Sequence, residues 1–401
     1  MQCSWLGRRR YIYTGFCLLL FLLLALSACS GGGSNGNGGS PTPKPGKGTP
    51  AANATPSVTA TPGIALGAQP CPDAVKSPSH WTAIVQPPTG AQVESVTCGN
   101  LMGTPTLQAL VTVRAQGTGA LLDVYVYNHI TDPSPTAIFK LQGLYKGEAK
   151  ISGYNTVMTA EVDQASSVNK NVTANASLTV DLFREFKWSD GAGTLVPVTF
   201  PGLYPDLTRF QAEADQAKVN QGQDAWKLDA AQTAKSLAVN LLKWSDNAQT
   251  TIVSGGGKND VDAVVNVKNA GTPAGTITVS LSRLEGNANG GIWEATSVTS
   301  NGMSITSPQS RDLLSSPVTV SGTGSAFEGV IGKVVVLDHL YTTIGQASAK
   351  GATGMGNTTF STPVTFTSTF QNGNEEGILA LYSYSNANGA IAGAVMMKEL
   401  L

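Results

Sequence analysis

The chain has 401 residues, with 25 Lys and Arg against 26 Asp and Glu, and only 13% of its residues are charged. Nucleic-acid binding relies on clustered basic side chains. The weakly acidic balance, with no basic run beyond residues 8–10, therefore excludes nucleic acid as a partner. The 45 glycines, with abundant Thr, Ser, Asn and Val, are typical of exported β-rich domains with many turns.

The N-terminus has the pattern of an export signal. Three arginines at 8–10 precede an apolar stretch over 16–26 and the small residues before Cys29. The sequence Leu26-Ser27-Ala28-Cys29 resembles the lipobox of bacterial lipoproteins. The resemblance implies that residues 1–28 are removed, that Cys29 carries lipid, and that the protein is held on the extracytoplasmic face of the cell membrane. The alternative is an uncleaved helix over 11–28, which is short for the roughly 20 residues that span a bilayer.

Residues 29–70 read as a tether. The segment begins rich in Gly and Ser and ends in Pro-Thr repeats, without apolar periodicity. Such a composition cannot bury enough apolar surface to offset the entropy of ordering, so we predict disorder. The Gly-rich part should be flexible and the Pro-rich part a stiffer spacer. The tether would carry the folded body away from the membrane.

Cysteine usage agrees with export. Cys3 and Cys17 lie in the signal and Cys29 is the lipid site, which leaves Cys71 and Cys98 in the folded part. Two cysteines in an oxidising compartment are most simply a disulfide. A metal site or a catalytic thiol is the alternative, but neither a second Cys pair nor a His at ligand spacing accompanies them. We therefore expect neither a metal nor a cofactor.

Two modules are predicted after the tether. Residues 71–203 alternate apolar and polar positions in short bursts, at 107–113, 121–127, 138–141, 157–162 and 178–183, which predicts an antiparallel β-domain. The first two bursts flank a hairpin turn at 116–119. From about 204 the period becomes helical, over 207–219 and 226–244, with Asp224 as a candidate cap of the second helix. A three-strand meander follows, so residues 204–306 predict an α+β module.

The last hundred residues predict a two-sheet sandwich. The stretch 316–330 combines Ser-Pro, the alternation of Val318 and Val320, Gly322, and the group Ala-Phe-Glu-Gly at 326–329. This order resembles the immunoglobulin-like domain of bacterial spore-germination proteins, over residues 307–401. The strand pattern alone also favours a sandwich. The fold class is then mainly β, with an α+β middle module and a C-terminal immunoglobulin-like sandwich.

The apolar positions of those strands predict the core of this domain. The expected core residues are Val318, Val320, Phe327, Val334, Val336, Phe366, Leu379 and Leu381. Phe327 and Glu328 could instead form a binding pair on the surface. We expect Phe327 to be a buried aromatic and Glu328 a turn residue.

Catalytic motifs are weak throughout the sequence. His80, His129 and His339 are far apart, and none belongs to a metal-binding pair. We interpret His339 as a solvated residue at a strand end. Gly322-Thr-Gly-Ser-Ala only superficially resembles a nucleophile elbow, and Ser254-Gly-Gly-Gly-Lys258 lacks the spacing of a phosphate loop, so we predict strand and hairpin material respectively.

Two pairs of carboxylates need a separate interpretation. Glu161 with Asp163, and Asp260 with Asp262, lie two residues apart and would share one face of a strand. They could bind Ca²⁺ weakly, but the spacing is not that of an EF-hand loop. We expect solvated strand faces. Trp188, near the Gly-rich turn at 191–193, could be exposed enough to bind sugar.

The sequence as a whole predicts a non-enzymatic, lipid-anchored surface protein. Its expected role is binding or adhesion to cell-envelope material or to another protein, with a possible association with spores and germination. One alternative is a carbohydrate-acting hydrolase that uses one of the two acidic pairs, which would need carboxylates about 5–10 Å apart across a cleft. A second alternative is a solute-binding lipoprotein, a class that usually has two α/β lobes.

Overall fold

A computed structural model describes residues 63–271, 274–286 and 289–401. The predicted signal, Cys29 and the tether up to residue 62 lie outside these ranges. The helices are α1 (Pro78–Val85), α2 (Arg209–Asn220) and α3 (Ala230–Leu241), with short 3₁₀ turns at Asn175–Ser177 and Ala225–Leu228.

Nineteen strands are found among the described residues, and they confirm the mainly β prediction. They are β1 (Ala91–Gly99), β2 (Gln108–Ala115), β3 (Leu122–Asn128), β4 (Thr136–Leu144), β5 (Glu148–Ile151), β6 (Val157–Glu161), β7 (Leu182–Ser189), β8 (Thr194–Val198), β9 (Gln249–Gly255), β10 (Asp262–Lys268), β11 (Thr276–Ser282), β12 (Glu294–Ser300), β13 (Ser304–Ser307), β14 (Val318–Phe327), β15 (Val330–Leu337), β16 (Thr343–Lys350), β17 (Met355–Val364), β18 (Glu376–Tyr384) and β19 (Ile391–Leu400).

Two four-stranded antiparallel meanders, β1–β4 and β5–β8, make up the N-terminal part. They share one apolar core, to which Leu110, Val124, Val157 and Phe186 contribute. The other face of the first meander packs on α1, where the indole of Trp81 is fully buried and its Nε1 donates to the carbonyl of Val75 at 2.7 Å. Both sheets are antiparallel, the strand arrangement that the sequence predicts for this part of the chain.

The remaining strands join in one continuous sheet in the order β13-β14-β15-β18-β19-β12-β11-β10-β9, with β16 added to β15 and β17 to β14. Its β13–β19 half curls into a two-layer sandwich whose core contains Val320, Val334, Phe360 and Leu381. Its β9–β12 half is covered by α3.

Strands β15, β18 and β19 are buried on both faces. Along β15, Val334 and Val336 face the sandwich core, whereas Val335 and Leu337 face the core under α3. Successive side chains point to opposite faces of a strand, so such strands need unbroken apolar runs. The runs Val-Val-Val-Leu in β15 and Ile-Leu-Ala-Leu-Tyr in β18 meet that need.

The predicted boundary at 306/307 is crossed by this shared core. The described residues from 63 onward form one compact unit, and the core under α3 joins Trp293 and Val298 to Ile378 and Met396. The boundaries 71–203, 204–306 and 307–401 stay predictions. Among the residues described, no helix is long and apolar enough to cross a membrane.

The predicted cap of the second helix is wrong. Asp224 precedes only the short turn Ala225–Leu228 and makes no capping bond with its side chain. Asp229 caps α3 instead, since its Oδ1 accepts from the amides of Ala231 at 2.8 Å and Gln232 at 3.1 Å. The helical apolar period over 226–244 hides the break between the turn and α3, because Trp226 of the turn packs against the same core as Ala234 and Leu237 of α3.

Candidate functional site: a tyrosine groove beside an exposed phenylalanine

Phe327 lies on the surface, so its assignment to the core is wrong. The inward positions of β14 are even-numbered, as at Val320 and Ala326, and Phe327 falls on the opposite face with 49% of its surface exposed. Its cross-strand neighbours Val330 and Met355 are exposed too. The apolar alternation that begins at Val318 in the sequence already predicts that Phe327 points away from the core. The other seven predicted core residues are buried or pack against the core.

Glu328 is a turn residue, as predicted. Phe327 pairs directly with Val330, so Glu328 and Gly329 form a two-residue hairpin loop. Their φ angles are 51° and 80°, the positive values that a type I′ turn requires at both positions. The turn leaves Phe327 at the end of the hairpin, where its ring is accessible.

A cavity of about 430 Å³ adjoins this hairpin, and we call it the hairpin pocket. Phe327 forms one wall and Tyr384 another, and the ammonium of Lys333 lies 5.7 Å from the centre of the Tyr384 ring. The polar part of the lining also includes Asn386 and three serines, Ser325, Ser348 and Ser383.

A second cavity of about 650 Å³ shares Tyr384 with the hairpin pocket. We call it the tyrosine groove, because four tyrosines line it: Tyr204, Tyr341, Tyr382 and Tyr384. Asn240, Lys243 and Gln346 are exposed polar residues of its lining. The lining thus combines aromatic rings with amide groups.

The fold explains why these tyrosines gather. Tyr382 and Tyr384 are two residues apart on β18 and share one face of the strand. Tyr204 is fixed from the side of α3, since its hydroxyl lies 2.6 Å from Ser236 Oγ and accepts from Asn240 Nδ2 at 2.7 Å. The Tyr341 hydroxyl donates to the carbonyl of Leu203 at 2.9 Å. The groove is therefore a preformed surface.

The electrostatics of the groove favour a neutral or anionic ligand. Burial raises the pKa of both Tyr382 and Tyr384, so their hydroxyls stay protonated at physiological pH. Lys243 and Lys333 are the charged residues of the two linings, and neither lining contains a carboxylate. The surface offers hydrogen-bond donors, aromatic faces and two positive charges.

His339 is buried, so the prediction of a solvated turn residue is wrong. Its Nδ1 is hydrogen-bonded to Glu375 Oε2, and its Nε2 lies 3.7 Å from Asp181 Oδ2. Burial lowers the pKa of His339, but the nearby Asp181, the hydrogen bond to Glu375 and the charges of Glu375 and Asp338 outweigh it and raise the pKa to about 10. The sequence gives no sign of this, because the partners are distant along the chain.

Glu161 and Asp163 are also buried, against expectation. Glu161 pairs with Arg184, and Asp163 Oδ2 accepts from Thr369 Oγ1 at 2.6 Å. Both residues lie where the second meander packs on the C-terminal sandwich. This packing excludes water from the two side chains, although their sequence pattern predicts a solvated strand face.

Asp260 and Asp262 are exposed, as predicted. Asp260 Oδ2 accepts from the amide of Gly257 at 2.8 Å, and Asp262 Oδ1 accepts from Ser282 Oγ at 2.6 Å. The glycine run at 255–257 is a hairpin loop between β9 and β10. The sequence Gly322-Thr-Gly-Ser-Ala, which superficially resembles a nucleophile elbow, lies inside β14. Gly322 has no room for a side chain there, because an added Cβ would lie 2.0 Å from the carbonyl oxygen of Ser304.

The other residues singled out by the sequence have structural surroundings. Cys71 and Cys98 are joined in a disulfide, whereas Cys29 lies outside the described residues. His80 and His129 are exposed. Trp188 is half-buried and its Nε1 donates to Asp190 Oδ1 at 2.8 Å. In the part of the chain that the structure covers, no three His, Cys, Asp or Glu are placed to hold a metal ion.

Comparison with known families agrees with the geometry of the C-terminal domain. A family model described as the immunoglobulin-like domain of bacterial spore germination matches residues 303–390. No curated protein matches the chain. The matched residues include Phe327, Lys333 and Tyr384 of the hairpin pocket. The chain thus has a mainly β fold that ends in an immunoglobulin-like domain similar to that of bacterial spore-germination proteins.

Proposed function

We propose that the protein is a lipid-anchored binding protein on the extracytoplasmic face of the membrane, associated with spores or germination, whose tyrosine groove and hairpin pocket bind a polymer of the cell envelope. The observation that carries the proposal is the exposed Phe327 beside a preformed, tyrosine-lined surface. Large exposed apolar residues next to a polar rim are typical of binding surfaces.

The chemistry of the groove supports a glycan-type polymer. Tyrosine presents an apolar ring face and a polar hydroxyl, and it loses little conformational entropy on binding. Amide side chains such as Asn240, Gln346 and Asn386 both donate and accept hydrogen bonds, as sugar hydroxyls require. Lys243 and Lys333 would favour polymers that carry carboxylate or phosphate groups.

The predicted anchor is the basis for the proposed location. Lipid on Cys29 would hold the chain at the membrane, and a tether of about forty residues with the flexibility that its composition predicts would have a root-mean-square reach of roughly 35 Å. The folded unit would then contact polymer close to the membrane rather than material far outside the cell.

Co-sedimentation with purified cell-wall sacculi tests the proposal. The detergent-solubilised full chain should bind, and Tyr384→Ala and Phe327→Ala should each weaken binding at least about fivefold, because central aromatic anchors cost more than ~1 kcal/mol when truncated. Val253→Ala is the control, since Val253 is 56% exposed on β9 and lines neither cavity.

Two results would count against the proposal. If Phe327→Ala and Tyr384→Ala bound sacculi as tightly as the parent, the groove would not be the binding surface. If the parent itself did not sediment with sacculi, an envelope polymer would be the wrong ligand. Phe327→Ala should keep the unfolding midpoint of the parent, because substitutions of exposed residues usually change stability by under about 0.5 kcal/mol.

A further inference from the structure

A third cavity, of about 410 Å³, adjoins the tyrosine groove, and we call it the tryptophan pocket. It shares Asn240 with the groove. Ser236 of its lining is hydrogen-bonded to the hydroxyl of Tyr204, a lining residue of the groove, at 2.6 Å. Its lining further includes Trp226, Gln232, Lys235 and Asp246. The two cavities therefore meet at Asn240 and at the bond between Ser236 and Tyr204.

One face of α3 runs along both cavities. Gln232, Ser236 and Asn240 are four residues apart, so they form one row on the helix surface. With a rise of about 1.5 Å per residue, this row is about 12 Å long. Its first residue lines the tryptophan pocket and its last lines both cavities, and Tyr384 in turn joins the groove to the hairpin pocket. The three cavities thus follow one another in series.

Trp226 differs from the other tryptophans among the described residues. Trp81, Trp244 and Trp293 are buried, and the Nε1 of the half-buried Trp188 is already engaged in a hydrogen bond. Trp226 is half-buried and packs against the core under α3. Its Nε1 donates to none of the described residues. An indole N–H can only donate, so this one is available to an acceptor on a ligand.

The charges differ from one cavity to the next. Lys333 in the hairpin pocket and Lys243 in the tyrosine groove are accompanied by no carboxylate in either lining. In the tryptophan pocket, Lys235 is balanced by Asp246. A chain-like ligand with anionic groups would therefore place them in the first two cavities and a neutral part beside Trp226.

We propose that the tryptophan pocket is a further subsite of the binding surface and takes a neutral sugar unit of a glycan chain whose anionic units lie in the tyrosine groove and the hairpin pocket. Each cavity alone is within the roughly 300–1,000 Å³ of a pocket for one drug-sized ligand, so one repeating unit cannot fill all three. The indole would pack its apolar face on the sugar ring, and Nε1 and the amide of Gln232 would bind hydroxyl groups. This inference rests on the proposed function and adds that the ligand is a chain of several units.

Binding of glycan fragments of different length tests the subsite. The fragments are released from sacculi by partial muramidase digestion, separated by length, and titrated into the full chain by calorimetry. The parent should bind fragments of several units at least about tenfold more tightly than single units, because only the longer fragments reach the tryptophan pocket as well. Trp226→Ala should weaken binding of the long fragments at least about fivefold and leave binding of single units unchanged.

Two further variants make the test specific. Leu228→Ala is the matched control, because Leu228 is exposed in the same short turn as Trp226 and lines none of the three cavities. Gln232→Ala changes an exposed position of α3 and serves if the loss of Trp226 impairs folding. It should weaken the binding of long fragments about threefold, as expected for one lost hydrogen bond, without affecting single units.

The outcomes separate this subsite from the proposed function. Equal affinity of the parent for both fragment lengths, or a parental preference for long fragments in folded Trp226→Ala and Gln232→Ala variants, would refute the subsite. The tyrosine groove would then still stand on the effect of Tyr384→Ala. An equal loss for both lengths in Trp226→Ala would show that Trp226 only shapes the groove, which also refutes the subsite. A parent that binds neither the fragments nor sacculi would overturn both proposals.

Discussion

The buried His339 makes the stability of the protein depend on pH in a predictable direction. In the folded state its pKa is about 10, because the interactions with the carboxylates of Asp181 and Glu375 outweigh the effect of burial. An unfolded histidine has a pKa near 6.5. A group whose folded pKa is raised stabilises the fold fully below its unfolded pKa, and this contribution is lost as the pH rises toward the folded pKa.

The magnitude follows from that difference. One pKa unit corresponds to about 1.4 kcal/mol, so the rise from 6.5 to about 10 gives roughly 5 kcal/mol as an upper bound. The stability should therefore fall between pH 6.5 and 10. Burial also raises the pKa of Glu376 and Glu285 to about 7 and of Glu399 to about 8, against the attraction of Lys398 and Arg209 on the first two. These carboxyls also make the stability fall as the pH rises, since the folded chain holds protons that the unfolded chain releases.

Comparison with His339→Gln isolates the histidine. At pH 6 the variant should be less stable by about 3–5 kcal/mol, as expected when one partner of a buried ion pair is removed. Above pH 6.5 the gap should shrink by up to about 1.4 kcal/mol per pH unit. Urea unfolding at pH 6, 8 and 9.5 measures it, with His80→Gln as an exposed control. A gap that stays constant over this range would refute the ion-pair assignment.

Cys29→Ser should release the protein from membranes or leave an unprocessed precursor there, and fatty-acid labelling of that variant at parental levels would contradict the anchor. Replacing Cys71 and Cys98 by Ser should cost about 3.5 kcal/mol on loop entropy for a separation of 27 residues, measured by denaturant unfolding; an unchanged midpoint would disagree. Glu328→Asn should stabilise the hairpin by about 0.5–1 kcal/mol, because Asn tolerates positive φ better, and a lower melting temperature would argue against it. A fragment of residues 307–401 should unfold at a lower denaturant concentration than the full chain, and an equal midpoint would show that the shared core is dispensable.

Patterns local in sequence predict the strands well. The bursts at 107–113 and 121–127 become β2 and β3, and the glycine-rich turn between them is the hairpin. The C-terminal sandwich follows from alternation of apolar residues and from turn signals. Strand β7 is shifted, since it starts at Leu182 rather than at 178. The apolar bias there extends into a loop that is held by Asp181 and Asn169.

Tertiary partners decide the residues that the sequence cannot assign. His339, Glu161 and Asp163 look solvated because charged side chains at strand ends usually are. Their partners lie 23 to 206 positions away along the chain. Phe327 is a different case, because its odd position relative to Val318 and Val320 already places it outside. We predicted that Phe327 is buried because it is aromatic, although its position in the strand places it on the outer face.

The buried charges define how the N-terminal meanders dock on the C-terminal sandwich. His339 with Asp181, and Thr369 with Asp163, connect the loop between β6 and β7 to two loops of the sandwich. Buried ion pairs add little net stability compared with apolar packing, yet removing one partner is costly. Their main effect is therefore to fix one docking arrangement, since any arrangement that separated these pairs would bury unpaired charge. Apolar contacts alone would allow the meanders to slide along the surface of the sandwich. The tyrosine groove belongs to the sheet and to α3, so it should tolerate the loss of these pairs.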